Sequence, residues 1–374
     1  MRPIHDPIAT PLLARRDFLA GAGALFASSL VGRHAEAFEG ADALFASACR
    51  RPDGSYGCAV FAEDGRIVSE VALPDRGHDI AFDPVSGRAI AFARRPRTFA
   101  VVFDPKTGET LRTLASAKGR HFFGHGFFSP DGRLIYATEN DFEAARGLIG
   151  VYDVQRDFAR ITEFDTHGMD THEALLMPDG ETIVVANGGI ETHPDYGRQK
   201  LNLATMEPSL VFIDRRTGDL LAKHRLEDSL HQLSIRHLAI DGERKVWFGC
   251  QYEGPSADAP QLLGFATPEA GLALIEMPRK DLARLSNYVG SVAASADGTR
   301  IAISSPVGGE VMIVDATQKS LVESRAIRDG CGLAADGAGF LATSGHGLVA
   351  HVAPNGAERR ADLEWDNHIL ALGA

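Results

Sequence analysis

Histidine residues recur in this sequence at the starts of short hydrophobic segments. His78, His125, His172 and His237 each lead into an apolar run, a tight turn, a second apolar run and then a group of polar residues. Neutral imidazole is a frequent ligand of transition metals, and its usual pKa lets it exchange a proton near neutral pH. The repeat therefore predicts a metal site wherever the fold brings these histidines together.

The segments between these histidines have the pattern of a β-propeller. Turn signals of the Asp-Gly and Asn-Gly type recur at roughly ten-residue intervals, with β-rich runs such as residues 99–103 and 311–314 between them. Helical periodicity is nearly absent, and the short strands fall into blocks of about 40–50 residues. We therefore predict an all-β, seven-bladed β-propeller. Its innermost strands are expected to begin near His78, His125, His172, His237, Ser291, Asp329 and His368.

The two ends of the predicted propeller complement each other. Residues 366–372 resemble residues 78–82 at the start of a blade, but no hairpin follows them. The N-terminal block, residues 43–73, has three predicted strands and no obvious inner strand. We therefore expect the C-terminal strand to complete the first blade, which removes an exposed sheet edge. A six- or eight-bladed ring stays open as an alternative, because residues 188–208 form a long insertion.

The N-terminal segment, residues 1–37, has the pattern of a twin-arginine signal peptide. Arg15 and Arg16 precede an apolar region rich in glycine and alanine, and Ala35 and Ala37 provide the small residues that a signal peptidase requires. The alternative is a basic patch before an ordinary helix. Removal of the signal leaves one predicted propeller domain, residues 38–374, in the periplasm, with no further apolar run long enough to span a membrane.

The charge of the mature chain limits the classes of binding partner, and its cysteines limit the possible disulfide bonds. Residues 1–37 hold four basic and three acidic residues, so their loss changes the net charge from −12 to −13. This balance argues against nucleic acid or an anionic membrane surface as a partner, and leaves cations, proteins and small molecules open. Cys49 and Cys58 flank a predicted hairpin and could form a disulfide in the periplasm, whereas Cys250 and Cys331 have no evident partner.

Most of the histidines collect at one face of the predicted propeller. The loops that enter the innermost strands share a face with those that join the second and third strands, and ten of the twelve histidines after residue 37 fall there. Turn chemistry does not account for this, because tight turns favour Gly, Asn, Asp and Pro. The candidate metal ligands are His121, His125, His167, His172, Glu173, His193 and His237. The candidate ligand-binding residues are Arg94, Arg95, Glu139, Asn140, Asn187, Arg236, Gln251, Tyr288, Ser305, Asp329 and Cys331.

These candidates have competing interpretations. The histidines at the repeat position, including His78 and His368, either bind a metal or bond the backbone of a neighbouring blade, as the histidine of WD repeats does. His121, His167 and His193 lie outside the repeat position, which favours a functional role. The arginines suit an anion such as a carboxylate, or else pair with acidic residues across the mouth. The sequence has no nucleophile elbow, zinc-protease motif, haem-attachment motif or phosphate-binding loop.

Seven short motifs are distributed along the chain after the signal. They are residues 120–125, 138–140, 186–190, 192–195, 200–202, 206–210 and 233–238. In combination they resemble an exported bacterial propeller family known as domain of unknown function 1513. The resemblance implies a fold similar to the quinoprotein amine dehydrogenase heavy chain and YVTN-type repeats. Because genes of this family often lie beside imelysin-type proteins and a dihaem-type oxidoreductase, it also implies a periplasmic role linked to iron acquisition, with an imelysin-like or haem-containing partner.

Three hypotheses of function follow. In the first, the protein binds a metal ion, a metal complex or a protein partner at the His/Arg-rich mouth of the channel, without turnover of its own, and the metal is iron or copper. In the second, it is a metal-dependent hydrolase or an oxidoreductase accessory subunit, with Glu139, Asn140 and Asn187 as ligands. In the third, it is a pure protein-interaction scaffold. Histidines gathered at one point would favour a metal site, and histidines held apart would favour the scaffold.

Overall fold

The β-rich runs and glycine-containing turns form seven antiparallel sheets arranged as the blades of a propeller. The structure is a computed structural model that describes residues 43–337, 339–353 and 355–372. The predicted signal peptide, residues 1–37, lies outside the described residues. The prediction of an all-β, seven-bladed β-propeller is confirmed.

Most blades are formed by four consecutive strands, and the first blade also receives the last strands of the chain. The first blade contains β1 (Leu44–Arg50), β2 (Tyr56–Ala62) and β3 (Ile67–Leu73). The second contains β4 (Gly77–Asp83), β5 (Arg88–Ala93), β6 (Phe99–Phe103) and β7 (Thr110–Ala115). The third contains β8 (Arg120–Phe128), β9 (Leu134–Asp141), β10 (Arg146–Asp153) and β11 (Ala159–Asp165). The fourth and fifth blades contain β12 (Thr171–Leu176), β13 (Thr182–Asn187), β14 (Ser209–Asp214), β15 (Leu220–Arg225), β16 (Leu233–Ile240), β17 (Val246–Tyr252), β18 (Leu263–Thr267) and β19 (Gly271–Leu274). The sixth and seventh contain β20 (Ser291–Ala294), β21 (Arg300–Ser305), β22 (Glu310–Asp315), β23 (Ser320–Ala326), β24 (Gly330–Asp336), β25 (Gly339–Ser344), β26 (Leu348–His351) and β27 (Glu358–Arg360). The chain returns to the first blade with β28 (Glu364–Trp365) and β29 (Leu370–Ala371).

In residues 43–337, 339–353 and 355–372, helical structure is confined to short connections between strands. The α-helix α1 (Arg279–Leu285) links the fifth and sixth blades and buries Leu282 and Leu285. The 3-10 turns are Val154–Arg156, Pro194–Tyr196, Leu203–Thr205 and Asp228–Leu230. Among the described residues, no helix is long or apolar enough to cross a membrane.

The ring closes through the first blade, as the sequence predicts. β28 pairs with β1 at Cys49↔Trp365, and β29 pairs with the same strand at Phe45↔Ala371. The C-terminal segment thus supplies the inner strand that the N-terminal block lacks. Pairing the two ends in one sheet covers the strand edge that an open ring would expose.

Burial is greatest in the middle strands of the blades and falls sharply at the outermost strands. In the sixth blade, β21 and β22 are almost wholly buried, whereas β23 alternates between exposed and half-buried residues. Middle strands are packed by neighbouring blades on both faces and are therefore mostly apolar, while outermost strands face solvent on one side. The inner strands β4, β8, β12, β16, β20 and β24 lie side by side around the axis, and β29 lies between the last and the first of them. Their side chains are therefore the ones that meet at the centre.

The cysteines do not form the disulfide that the hairpin suggested. Cys49 and Cys58 lie on paired strands, but Cys49 is opposite Gly57 and Cys58 is opposite Ala48. A one-residue offset places two side chains on opposite faces of a sheet. Accordingly, the two thiols pack in different apolar clusters, and all four cysteines are free and buried.

Candidate functional site

Five histidines from five neighbouring blades meet in the central channel, and we call them the five-histidine cluster: His78, His125, His172, His237 and His368. Going round the cluster, consecutive ring centroids lie 4.6–5.3 Å apart. His125 also lies 4.7 Å from His368 across the cluster. All five side chains are buried. Histidines separated by up to 290 positions along the chain are thus brought to one point.

Irregular backbone in the inner strands places these rings. The register of β4, β8, β12 and β16 shifts at or beside His78, His125, His172 and His237. Such a bulge turns a side chain away from the direction that regular alternation would give it. In β8 the irregular segment contains Gly124 at φ +115°, where an added Cβ would lie 2.5 Å from the His78 ring. Glycine at this position therefore allows the histidines of the second and third blades to approach each other.

Three of the five histidines bond a carboxylate of an adjacent blade through Nδ1. The distances are 3.2 Å from His78 to Asp366, 2.9 Å from His125 to Asp79 and 3.3 Å from His237 to Glu173. An ionised carboxylate only accepts hydrogen bonds, so neutral His78 and His125 carry the proton on Nδ1, and neutral His237 does so whenever Glu173 is ionised. The Nε2 lone pair is then free, which is the arrangement of metal-binding histidines supported by a second carboxylate.

Four Nε2 atoms of the cluster have no hydrogen-bond partner in the described part of the chain. Nε2 of His125, His172, His237 and His368 is buried and accepts or donates no hydrogen bond among the described residues. Ligand atoms of His125, His237 and His368 all lie within 4.8 Å of one another, and so do those of His78, His125 and His172. Unpartnered polar atoms inside a protein cost free energy, so their convergence calls for an explanation by function. The donors suit zinc, copper, iron or nickel, all of which bind imidazole.

Burial and neighbouring charges keep most of the cluster neutral. Burial lowers the pKa of His78 to about 3 and lowers that of His237 and His368 well below the usual range. Burial also disfavours protonated His125, but the Glu173 and Asp79 carboxylates outweigh it and raise the pKa of that ring. Metal ligation requires neutral imidazole. The cluster therefore holds most of its rings in the ligand form.

Glu173 is itself perturbed in this environment. Burial raises the pKa of its carboxyl group to about 7, against the opposing effect of His125. The same carboxylate accepts a hydrogen bond from the Leu238 amide at 3.2 Å. Glu173, predicted as a metal ligand, is thus placed behind His237, where it orients the ring.

His172 differs from the other members of the cluster. Its Nδ1 lies 3.1 Å from Nη1 of Arg236, and Arg236 in turn pairs with buried Asp170 at 3.2 Å. A guanidinium group can only donate, so Nδ1 of neutral His172 accepts and Nε2 bears the hydrogen. His172 therefore presents a hydrogen-bond donor where the carboxylate-bonded rings present a lone pair.

A cavity of about 230 Å³ opens onto the cluster, and we call it the arginine cavity. Five predicted ligand-binding residues line it: Arg94, Arg95, Arg236, Gln251 and Tyr288. Sequence reasoning missed Arg198, Lys200, Glu253 and Asn367, which line it as well. Arg198 and Lys200 lie in the insertion of residues 188–208, whose length was the available signal. The remaining lining residues are Phe123 and the cluster members His78, His172 and His237.

Three predicted metal ligands lie outside the five-histidine cluster. His121 is buried, with Nδ1 2.9 Å from the Phe122 carbonyl and Nε2 3.0 Å from the Asn140 amide nitrogen. His193 caps the turn Pro194–Tyr196 by accepting from the Asp195 amide. His167 is exposed in a turn at φ +55°. The histidines that converge are therefore those at the repeat position, and the three histidines outside it lie elsewhere.

Other predicted ligand residues have their hydrogen-bonding groups occupied by the protein. Glu139 is fully buried and bonds Tyr152 at 2.5 Å and Arg160 at 2.8 Å. Asn187 bonds the Thr166 carbonyl at 2.8 Å and the Thr171 hydroxyl at 3.0 Å. These contacts stabilise the blades and leave no group directed at a ligand.

The last three predicted residues lie on the sixth and seventh blades. The Ser305 hydroxyl donates to the Leu285 carbonyl at the end of α1. Cys331 is buried with Sγ 3.1 Å from the Asp366 carbonyl, and burial raises the pKa of its thiol to about 12. Asp329 lines a separate cavity with Arg76 and Asp366, and partial burial raises the pKa of its carboxyl group.

For His78 and His368 the sequence left a structural and a metal-binding role open, and Asp79 and Asp366 were not among the predicted site residues. A signal for those partners exists, because Asp79 follows His78 and Glu173 follows His172, while Asp366 precedes His368 by two residues. Each acidic residue bonds a histidine of a different inner strand, so the pairing appears only after the ring closes.

Known proteins match the chain in a family model and in fold. The model of the family described as "Protein of unknown function (DUF1513)" matches residues 71–372. No curated protein matches the chain. Three similar solved structures are hydrazine synthase of Kuenenia stuttgartiensis (16% identity, TM-score 0.59, covering 83% of this chain and 94% of that one), the Cps50 (Swd1) β-propeller domain of Myceliophteria thermophila (11%, 0.53, 83% and 94%) and BamB of Moraxella catarrhalis (12%, 0.50, 84% and 82%). At such identities the likeness concerns the fold alone.

Proposed function

The chain belongs to the DUF1513 family, whose description names no activity, and from that starting point we propose that the protein binds a divalent first-row transition-metal ion at the five-histidine cluster. His125, His237 and His368 are the primary ligands, and His78 contributes from the neighbouring blade. Asp79, Glu173 and Asp366 orient three of these rings through Nδ1.

The observation that supports this proposal most is the convergence of unpartnered Nε2 atoms. A histidine that only joins two blades would use both ring nitrogens within the protein, or leave one in solvent. Here Nε2 of His125, His237 and His368 is buried with no partner among the described residues, and the ligand atoms lie within metal-binding reach of each other. A structural role for the rings explains the Nδ1 bonds but not the direction of the Nε2 atoms.

The donor set also limits the kind of metal. Imidazole nitrogens bind zinc, copper, iron and nickel, whereas calcium and magnesium prefer oxygen ligands. Iron and copper, the metals of the sequence-based hypothesis, are within this class. When bound, such an ion supplies a positive charge and an electrophilic centre at the floor of the arginine cavity. The protein's own residues fix the rings, keep most of them neutral and bury them away from water.

The proposal is tested by the metal content of three proteins. The wild type, the triple variant His125→Ala/His237→Ala/His368→Ala and the control His351→Ala are stripped with a chelator, titrated with zinc, copper(II) and iron(II), and measured by elemental analysis after desalting. His351 is a suitable control because it also bonds a carboxylate, Asp336, at 2.7 Å but lies outside the cluster.

We expect about one ion per chain in the wild type and in His351→Ala, and none in the triple variant. Retention of the metal by the triple variant would refute the site. An absence of metal in all three proteins would favour the protein-interaction scaffold instead.

We also propose that the protein works outside the cytoplasm, in a process linked to iron. This proposal rests on the twin-arginine pattern at Arg15 and Arg16 and on the family resemblance. Cell fractionation tests the location: the wild type should appear in the periplasmic fraction, and Arg15→Lys/Arg16→Lys should remain in the cytoplasm. An unchanged distribution of the variant would contradict export by this route.

A further inference from the structure

The arginine cavity holds more cationic groups than its own carboxylates neutralise. Three of its five cations are paired, as Arg94–Asp366, Arg236–Asp170 and Lys200–Glu253. Arg95 and Arg198 have no carboxylate within ion-pair distance in the part of the chain that the structure describes. Burial, opposed by the attraction of Asp170 and reinforced by the charges of Arg236, Arg198 and Arg94, lowers the pKa of Arg95 to about 10. Like charges are thus held together beside the histidines.

The unpartnered groups around the cavity include hydrogen-bond donors. Arg236 is only 3% exposed, so solvent does not hydrate its Nε group, and this group has no acceptor among the described residues. The His172 ring, whose Nδ1 accepts from Arg236, carries a hydrogen on Nε2 that also has no acceptor. The Tyr288 hydroxyl and the Gln251 side chain line the same space. Of these groups, Nε of Arg236 and Nε2 of His172 are donors that have no acceptor among the described residues.

We infer that the arginine cavity binds a small multivalent oxyanion, whose oxygens accept from the arginines and from His172. Planar guanidinium groups bind carboxylate and phosphate oxygens in pairs, which favours an oxyanion over a halide. The cavity volume of about 230 Å³ corresponds to roughly seven or eight water molecules at about 30 Å³ each, so the anion is of the size of inorganic phosphate or a short polycarboxylate. Drug-sized ligands and nucleotides need larger clefts.

The position of the cavity links the anion to the metal. His78, His172 and His237 belong to the five-histidine cluster and also line the cavity, so an anion bound there lies directly beside the metal ligands. This part of the inference rests on the proposed function, because it places the oxyanion next to the metal ion that the histidines bind. The two ligands should therefore bind cooperatively, each raising the affinity for the other by the same factor.

Calorimetric titration of the chelator-treated, metal-free protein tests the anion site separately from the metal. Citrate and inorganic phosphate are titrated at low and at physiological chloride concentration into the wild type, Arg95→Gln, Arg198→Gln and the control Arg112→Gln. Arg112 is a surface residue that pairs with Asp157 at 2.7 Å. Arg95 and Arg198 lie in loops, so their variants should fold, which thermal unfolding verifies.

We expect one anion per chain, a tenfold or larger loss of affinity in Arg95→Gln and Arg198→Gln, and no change in Arg112→Gln, because a hydrogen bond to a charged group contributes about 1.5–3 kcal/mol. Stronger binding of citrate identifies a polycarboxylate, and stronger binding of phosphate identifies the inorganic ion. If the wild type binds neither anion with or without metal, or if all three variants behave alike, the inference is wrong.

A second titration, with the zinc-loaded protein, tests the link between the two ligands. Tighter anion binding in the presence of zinc supports a shared site, whereas equal affinity overturns the cooperative part. Anion binding by a protein that takes up no metal would refute the proposed function and leave the oxyanion site standing.

Discussion

Two buried polar clusters of this propeller differ in how completely their hydrogen-bonding groups are satisfied by the protein. In the third blade, Glu139 is fully buried and bonds both Tyr152 and Arg160. In the channel, the five-histidine cluster uses Nδ1 of three rings for carboxylates and leaves four Nε2 atoms without a partner among the described residues.

This difference separates a structural cluster from a functional one. Around Glu139, each charge meets an opposite charge or a donor, so the arrangement stabilises the blade and needs no further ligand. At His125 and His237, the carboxylate bonded to Nδ1 orients an unused lone pair on the other side of the ring. The unsatisfied groups, rather than the number of polar residues, indicate where a ligand belongs.

The largest expected effect is on metal affinity when a ring at the centre of the cluster is removed. His125 belongs to both groups of metal-binding histidines, so His125→Ala should lower zinc affinity more than about 100-fold, beyond the loss typical of a second-sphere residue. Competition with a chromophoric chelator measures the affinity. A change of less than tenfold would mean that the rings do not act as ligands.

A variant at Glu139 tests the buried polar cluster in the third blade. Glu139→Gln leaves Arg160 without its buried counter-charge and should lower the free energy of unfolding by about 2–3 kcal/mol. Because Glu139 does not contact the histidines, zinc affinity measured below the unfolding temperature should be unchanged. Chemical denaturation gives the first quantity and the chelator assay the second. Unaltered stability together with weakened zinc binding would reverse the assignment of the two clusters.

A smaller effect is expected from the carboxylates behind the rings. Asp79→Asn replaces the acceptor of His125 Nδ1 and should weaken zinc binding by about 10–100-fold. Asp83 lies on the same strand, but its carboxylate accepts from the Val85 and Ser86 amides in a turn. Asp83→Asn is therefore the matched control and should reduce stability without changing zinc affinity. Equal zinc affinities in the two variants would exclude a supporting role for Asp79.

The smallest effect concerns the cysteines, for which no reaction is expected in the folded protein. Burial raises the pKa of Cys49 to about 12 and, with Glu70 adding to it, keeps the thiol protonated at pH 8. A thiol-specific reagent should therefore detect no free thiol before unfolding and four afterwards, since all four cysteines are free. Detection of two thiols after unfolding would indicate a disulfide.

The sequence predicts the propeller well because its signals are local. Turn residues and β-rich runs mark each blade, and the similarity of residues 366–372 to residues 78–82 predicts closure by the C-terminal strand. The concentration of histidines at the repeat position predicts their convergence. In contrast, the register shifts beside His78 and His172 depend on the paired strand and leave no mark in the composition.

The members of the site are harder to predict because they interact across blades. Asp366 and His78 are 288 positions apart, yet Nδ1 of His78 bonds the Asp366 carboxylate. His121 has the same residue type and a similar sequence context, but Asn140 and the Phe122 carbonyl occupy its ring nitrogens. Residue type identifies candidates, and only the partner of each ring nitrogen distinguishes a ligand from a structural histidine.

X-ray absorption spectroscopy of the zinc-loaded protein tests the central claim most directly. The account predicts at least three imidazole nitrogens at about 2.0–2.1 Å from zinc, with the multiple-scattering features of histidine rings, and their loss in His125→Ala/His237→Ala/His368→Ala. A zinc ion surrounded by oxygen or sulfur ligands, or an imidazole shell that persists in the triple variant, would contradict it.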